Sequence, residues 1–226
     1  MGSEGQKPNT SKLHSSLRMM SDTFYSQAGQ DNFVFVMLYD LLKKNDAGTY
    51  LEIGAGYPIE NNNTYYFEKN YDWRGVSIDI INNLIPLWNN RKNSLVIADA
   101  LKIDYASLLA SFPKVMDYLS LDIDGFYDEV LEKIPFDEHT FRVITIEHDA
   151  YRFGDFYRNR EREILQRNGY LLICGDVFTF EVGAFEDWWI HPSCFPEEII
   201  RKLKKLNLNE RRYDVILQIL KKLKEA

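Results

Sequence analysis

Cysteine is scarce in this chain: Cys174 and Cys194 are the two among 226 residues. Two thiols make no disulfide framework, and a reduced compartment fits them. Long apolar runs are also missing, since none approaches the ~18 residues that a membrane-spanning helix needs. The opening shows no signal-peptide pattern, and a cytoplasmic protein is the expectation. Nor is there a basic excess. The net charge is −7 and the isoelectric point about 5.2, whereas nucleic-acid grooves are basic, so no polyanionic partner is expected. Repeats and low-complexity tracts are absent as well.

What is present is an ordinary globular composition, 45% hydrophobic and 27% charged, at a length that suits one α/β domain. Residues 1–20 are polar and aperiodic and read as a flexible tail or linker; 21–226 read as a single domain. An apolar stripe at helical spacing, Phe33, Val36, Met37 and Leu41, predicts a helix over Gly29–Asn45. Strands are predicted near 49–53, 75–79, 94–98, 116–122, 141–147 and 169–175. Helices alternate with them near 61–70, 81–90, 104–111, 127–133 and 155–168. Such alternation of near-continuous apolar strands with helices implies a parallel sheet covered on both faces. After Asp176 the pattern changes: Phe178–Glu181 and Phe185–Ile190 read as hairpin arms around Gly183, and amphipathic helices follow over 196–206 and 213–224.

The chemistry concentrates at strand ends. Thr49–Ile53 runs into Gly54-Ala55-Gly56 just after Glu52, and the next two strands end at Asp79 and Asp99. A glycine turn lets the backbone approach a ligand, an acid at the second strand tip accepts ribose hydroxyls, and a third acid suits the adenine amino group. An adenosine-containing cofactor follows. A dinucleotide fingerprint expects a third glycine three residues on; Tyr57-Pro58-Ile59-Glu60 supplies none. A pyrophosphate needs that close approach, and S-adenosylmethionine, a phosphate-free cation, does not.

With these residues the chain resembles the class I S-adenosylmethionine-dependent methyltransferases, and more narrowly the FkbM-type family. The match spans Ser26 to Pro192. It includes Ser26-Gln27-Ala28-Gly29-Gln30-Asp31, Leu51–Gly56, Asn62-Asn63-Thr64 with Phe67-Glu68, Trp73-Arg74-Gly75 leading to Asp79, and, with acidic substitutions, Leu121-Asp122-Ile123-Asp124-Gly125-Phe126. The resemblance implies a Rossmann-like seven-stranded α/β methyltransferase sheet. That sheet is mostly parallel, with an antiparallel C-terminal hairpin and helices on both faces. It also implies that Glu52, Gly54 and Gly56 line the methionine and sulfonium part, Asp79 takes the ribose, and Asp99 with Ala100 reads the adenine. Asn63 and Thr64 either cap the next helix or bond the cofactor.

Asp122 and Asp124 end the fourth strand, and Glu147-His148-Asp149 the fifth, at the edge where donor and acceptor should meet. The resemblance carries a divalent cation, manganese or magnesium, onto Asp122, His148 and Asp149. The alternatives are His148 as a metal-free general base, with Asp122 contacting only cofactor, or acids that are purely structural. The function expected is O-methylation of a hydroxyl on a sugar or glycan. The alternatives are a methyltransferase of another small molecule, or a non-catalytic cofactor-binding domain of a larger glycan-synthesis protein. Arg152 reads as a partner of a nearby acid or a substrate contact. Arg158, Arg160 and Arg162 read as a solvated helix face, and Trp188-Trp189 as core or as a stacking wall for a sugar ring beside His191.

Overall fold

The computed structural model describes residues 23–224 except 182, 207, 209 and 210. The tail expected over 1–20 therefore lies outside the described residues. Seven strands form one sheet: β1 Thr49–Ile53, β2 Arg74–Asp79, β3 Leu95–Ile97, β4 Val115–Leu121, β5 Thr140–Glu147, β6 Leu171–Val177 and β7 Glu186–Ile190. Their order is β3-β2-β1-β4-β5-β7-β6, parallel throughout except for β7, which is antiparallel to both β5 and β6. This is the expected Rossmann-like seven-stranded sheet, mostly parallel with an antiparallel C-terminal pair. The order reverses between β1 and β4, which opens a crevice at the carboxyl edge of those strands.

Eight α-helices surround the sheet among the described residues: α1 Gln30–Phe35, α2 Tyr65–Tyr71, α3 Tyr105–Leu109, α4 Tyr127–Leu131, α5 Ala150–Phe153, α6 Asp155–Arg167, α7 Glu197–Lys205 and α8 Tyr213–Lys222. The wider turn of a π-helix continues α1 over Val36–Leu41. The helix predicted near 81–90 is a 3₁₀ helix with Pro86 inside; proline lacks the N–H that an α-helix interior requires. The hairpin also differs from expectation. Its first arm is β6 itself, while 178–185 connects β6 to β7. No described helix is long and apolar enough to cross a membrane.

Strand alternation divides the core. Tyr50, Tyr118, Val143 and Trp188 face one side, packed with Phe33, Met37 and the α7 and α8 residues Leu203 and Leu217. Leu51, Leu119, Ile144 and Trp189 face the other, against Leu109, Val130 and Ile164. The central strands β1, β4, β5 and β7 are thus covered on both faces, and their apolar runs are continuous for that reason. Trp188 and Trp189 are fully buried, and Trp188 stacks on Phe33 at 4.7 Å, so neither is the sugar-stacking wall considered from sequence. His191 instead meets Tyr170 edge-on at 4.9 Å.

Candidate functional site

A cleft of about 570 Å³ opens where β1, β2, β3 and β4 end. The turn after β1 forms its floor. The N–H groups of Gly54 and Ala55 both donate to the carbonyl of Ile78, at 2.9 and 3.0 Å. Gly54 has φ +83 and Gly56 φ +56. Asp79, at the tip of β2, holds the rim: its two carboxylate oxygens accept from the N–H groups of Gly56 and Ile81, each at 2.8 Å. Asp99 accepts from the Leu101 N–H at 3.0 Å and pairs with Lys102 at 3.0 Å. The Lys102 hydrogen bond, helped by that backbone N–H, holds its carboxyl below the usual range. Gly54, Gly56, Asp79, Asp99, Ala100 and Asp122, all singled out from sequence, line this cleft together.

The segment Ser26–Asp31 contributes Gln27 to the cleft lining. Asp31 is buried, and its carboxylate accepts from the N–H groups of Tyr25 and Ser26 and from Ser26 Oγ at 2.6, 3.3 and 2.5 Å. Gly29, at φ +76, turns the chain into α1. This knot fixes the neighbouring Gln27, a cleft residue that sequence reasoning placed in a motif without giving it a role.

Glu52, Asn63 and Thr64 do not line the cleft, which corrects their expected cofactor contacts. Strand alternation sends Glu52 to the Tyr50 face, where it accepts from Thr64 Oγ1 at 3.0 Å and Ser77 Oγ at 2.6 Å. Burial raises its pKa, against the pull of nearby Arg91. Asn63 donates to Ser120 Oγ at 2.9 Å. The capping expected of Asn63 and Thr64 falls to Asn62, whose side-chain oxygen accepts from the N–H groups of Thr64 and Tyr65 at 3.1 and 2.8 Å. Arg91 organises this layer. It donates to Pro58 carbonyl, Asn62, Tyr50 and Thr64, pairs with Glu68 at 3.0 Å, and lies 4.5 Å over Trp88. These groups brace the glycine turn from behind.

Beyond Asp122 lies a carboxyl pair. Asp122 and Glu147 are hydrogen-bonded, and burial, followed by their mutual repulsion, keeps Glu147 protonated well above the usual range. Burial raises Asp122 as well, but the Glu147 hydrogen bond restrains it. Tyr127 donates toward Glu147 at 3.4 Å and to Asp149 at 3.1 Å. Burial raises the Asp149 pKa, while the Tyr127 hydrogen bond opposes it.

The expected metal set Asp122, His148 and Asp149 is not assembled. Asp149 takes a left-handed conformation, φ 46, at the start of α5, and the fully buried His148 ring turns from the cleft. Its Nδ1 accepts the Ala150 N–H at 3.1 Å, which puts the ring proton on Nε2. That atom lies 3.4 Å from Asp187 and 3.8 Å from Asp176. His148 therefore cannot serve as base at the cleft. Among the described residues, His148, Asp176 and Asp187 are the group near enough to share an ion. Arginines already occupy those carboxylates. Arg162 bonds Asp187 through both oxygens at 2.6 and 2.8 Å, and Arg158, Arg162 and Arg211 reach Asp176 at 2.6, 3.0 and 2.7 Å. Against the burial that would raise it, Arg162 and then His148 hold Asp187 down to about 2. A cation would meet guanidinium charge here, so this donor set does not suit one.

The same network corrects the reading of α6. Arg158 and Arg162 turn inward, and Glu161 is fully buried, its pKa raised by burial and by Asp187 beside it. Arg160 alone of the three keeps to the outer face, bonded to Glu163 at 2.8 Å. Arg152 pairs with Asp124 at 2.8 Å, and Cys174 is buried.

No family model matches this chain, and no curated protein matches it. Solved structures do resemble it. One is a presumed hemolysin from Streptococcus thermophilus, at TM-score 0.52 and 10% identity over 92% of this chain and 79% of that one. A presumed hemolysin from Lactococcus lactis gives TM-score 0.51 and 11% identity over 88% and 99%. An O-methyltransferase from Bacillus cereus in complex with SAH gives TM-score 0.47 and 14% identity over 81% and 92%. What the chain shares with the first two is the fold.

Proposed function

We propose that this protein is an S-adenosylmethionine-dependent methyltransferase acting on a hydroxyl of a sugar or glycan, in the cytoplasm and without a nucleic-acid partner. One observation carries the cofactor reading: five carboxylates, Glu60, Asp79, Asp99, Asp122 and Asp124, line the cleft, and no Lys, Arg or His does so among the described residues. Lys102 pairs with Asp99 and Arg152 with Asp124, which leaves a net negative cleft that disfavours a pyrophosphate and favours a sulfonium cation. The cradle fits an adenosyl group too. Gly54 leaves backbone open where a side chain would intrude, and Asp79 keeps acceptor capacity for ribose hydroxyls beyond the two N–H groups it binds. Ile78, Ile81 and Leu101 offer apolar walls for adenine, with Asp99 and Ala100 at its edge.

When bound, S-adenosylmethionine supplies a methyl group activated for in-line displacement. The chain's task is to place the acceptor and receive its proton. Asp122 fits that task in place of His148. It faces the cleft, and Glu147 behind it keeps the proton of the pair, which leaves Asp122 as the carboxylate that accepts. The sugar class and the FkbM-type relationship rest on the sequence resemblance of Ser26–Asp31, Asn62–Thr64 and Trp73–Gly75.

Labelled-methyl transfer to a panel of hydroxylated acceptors tests the reading. Wild type should transfer label, and Asp122→Asn should lower kcat by about 10²–10³-fold with little change in donor KM. Full activity in that variant would remove Asp122 from the chemistry, and transfer confined to phosphorylated acceptors would contradict the charge argument.

A further inference from the structure

Beside the cleft the surface carries an aromatic cluster that shares only Phe126 with the cleft lining. Three phenylalanine rings gather around Tyr157: Phe126, Phe153 and Phe156 have centroids 6.5, 5.4 and 5.3 Å from it. Phe126 is 54% exposed, Phe153 37% and Phe156 62%. Single exposed apolar residues are ordinary, but contiguous exposed aromatics mark a binding surface. Tyr127 packs edge-on against Tyr157 at 5.4 Å and ties the shelf to the Glu147 and Asp149 carboxyls.

The shelf is continuous with the cleft at two points. Phe126 belongs to both. Asp124, also at the cleft, pairs with Arg152, whose guanidinium sits 4.7 Å over the Phe153 ring. The backbone between them is strained. Asp124, Gly125 and Phe126 follow one another with φ of 58, 128 and 57, and a bulky residue such as phenylalanine rarely adopts that region. Strain held next to a cleft is a recurrent property of ligand-binding segments. Here it accompanies an aromatic ring left in solvent at the cleft mouth.

Chemistry narrows the occupant. The cleft's carboxylates disfavour an anionic acceptor. Phenyl rings offer no hydrogen bond, so hydroxyls laid on the shelf would lose water without replacement, while an apolar group would lose nothing. We infer that Phe126, Phe153 and Phe156 dock the aryl or acyl portion of an uncharged, amphiphilic acceptor that presents its hydroxyl to the cleft. This rests on the methyltransferase reading and adds to it the class of acceptor.

The test titrates the full chain with N-phenyl-1-naphthylamine, an uncharged fluorescent aryl probe, with and without S-adenosylhomocysteine. Wild type should bind the probe with enhanced fluorescence. Phe156→Ser should raise the probe Kd at least about ten-fold while S-adenosylhomocysteine affinity stays within about two-fold. Phe126→Asn, a residue that tolerates the left-handed conformation, should weaken the probe similarly without lowering the melting temperature. Unenhanced fluorescence in wild type, or equal binding by Phe156→Ser, overturns the inference. So does sedimentation showing a dimer that Phe156→Ser dissociates, because a second copy would then own the shelf. Probe binding that depends on Phe156 without any S-adenosylhomocysteine binding would instead sink the methyltransferase reading and leave the shelf standing.

Discussion

A Cβ built on Gly54 would lie 1.5 Å from the carbonyl oxygen of Asp122. The turn after β1 and the end of β4 therefore share space that only glycine leaves free. The Asp122 N–H donates to the Ile53 carbonyl at 2.8 Å, which locks the two strand ends in register. Cofactor floor and proposed base are one rigid unit for that reason.

Gly54→Ala should cost more than about 3 kcal/mol, because a backbone clash adds to left-handed strain. Gly56→Ala should cost about 1 kcal/mol, since its Cβ meets nothing within 4 Å and only φ is strained. Urea unfolding separates them. Equal stability losses would show that the Gly54–Asp122 approach is looser than described.

Asp79→Asn should weaken S-adenosylhomocysteine by about 10–100-fold, the worth of hydrogen bonds to a charged acceptor. Asp99→Asn should weaken it by less than about ten-fold, because Asp99 is more exposed and already paired with Lys102. Calorimetric titration of both variants checks the ranking. A larger effect at Asp99 would reverse the assignment of ribose and adenine ends.

The carboxyl pair makes a pH prediction. Native Glu147 keeps its proton well above its ordinary value of 4.5, while the unfolded chain releases it there. Native stability from this group is therefore fully present below about pH 4.5 and lost as pH rises above it. Relative to Glu147→Gln, wild type should fall by up to about 1.4 kcal/mol per pH unit above that point. Denaturant titrations from acid to neutral pH measure the difference, and parallel curves would show that the pair holds no proton.

Arg162→Met should cost about 3–5 kcal/mol by stranding buried Asp187 without its main cation. Excess manganese should leave the wild-type melting temperature within about 2 °C. A larger rise would mean that the His148, Asp176 and Asp187 group accepts an ion despite its arginines.

The sheet was legible because strands buried on two faces are continuously apolar, and Gly54, Asp79 and Asp99 sit where such strands stop. Directions of side chains were less so. Glu52 adjoins the glycine turn in sequence, yet alternation puts it behind the cleft, under Thr64. His148 continues the Ile144 and Ile146 side of β5 and so meets Asp187, which pairs with Ile146 on β7, a partner 39 residues away that the strand-end cluster did not suggest. On α6, Arg158 and Arg162 look like a solvated charged face, because their partners Asp176 and Asp187 lie 14 to 25 residues away. Phe126 had no signal beyond following Asp124-Gly125; its exposure depends on three consecutive positive φ angles.

Calorimetric titration of the full chain with S-adenosylhomocysteine, set beside NAD under the same conditions, tests the central claim most directly. The account expects saturable one-site binding of S-adenosylhomocysteine, weakened in Asp79→Asn, and no heat from NAD. Binding of NAD in its place would contradict it.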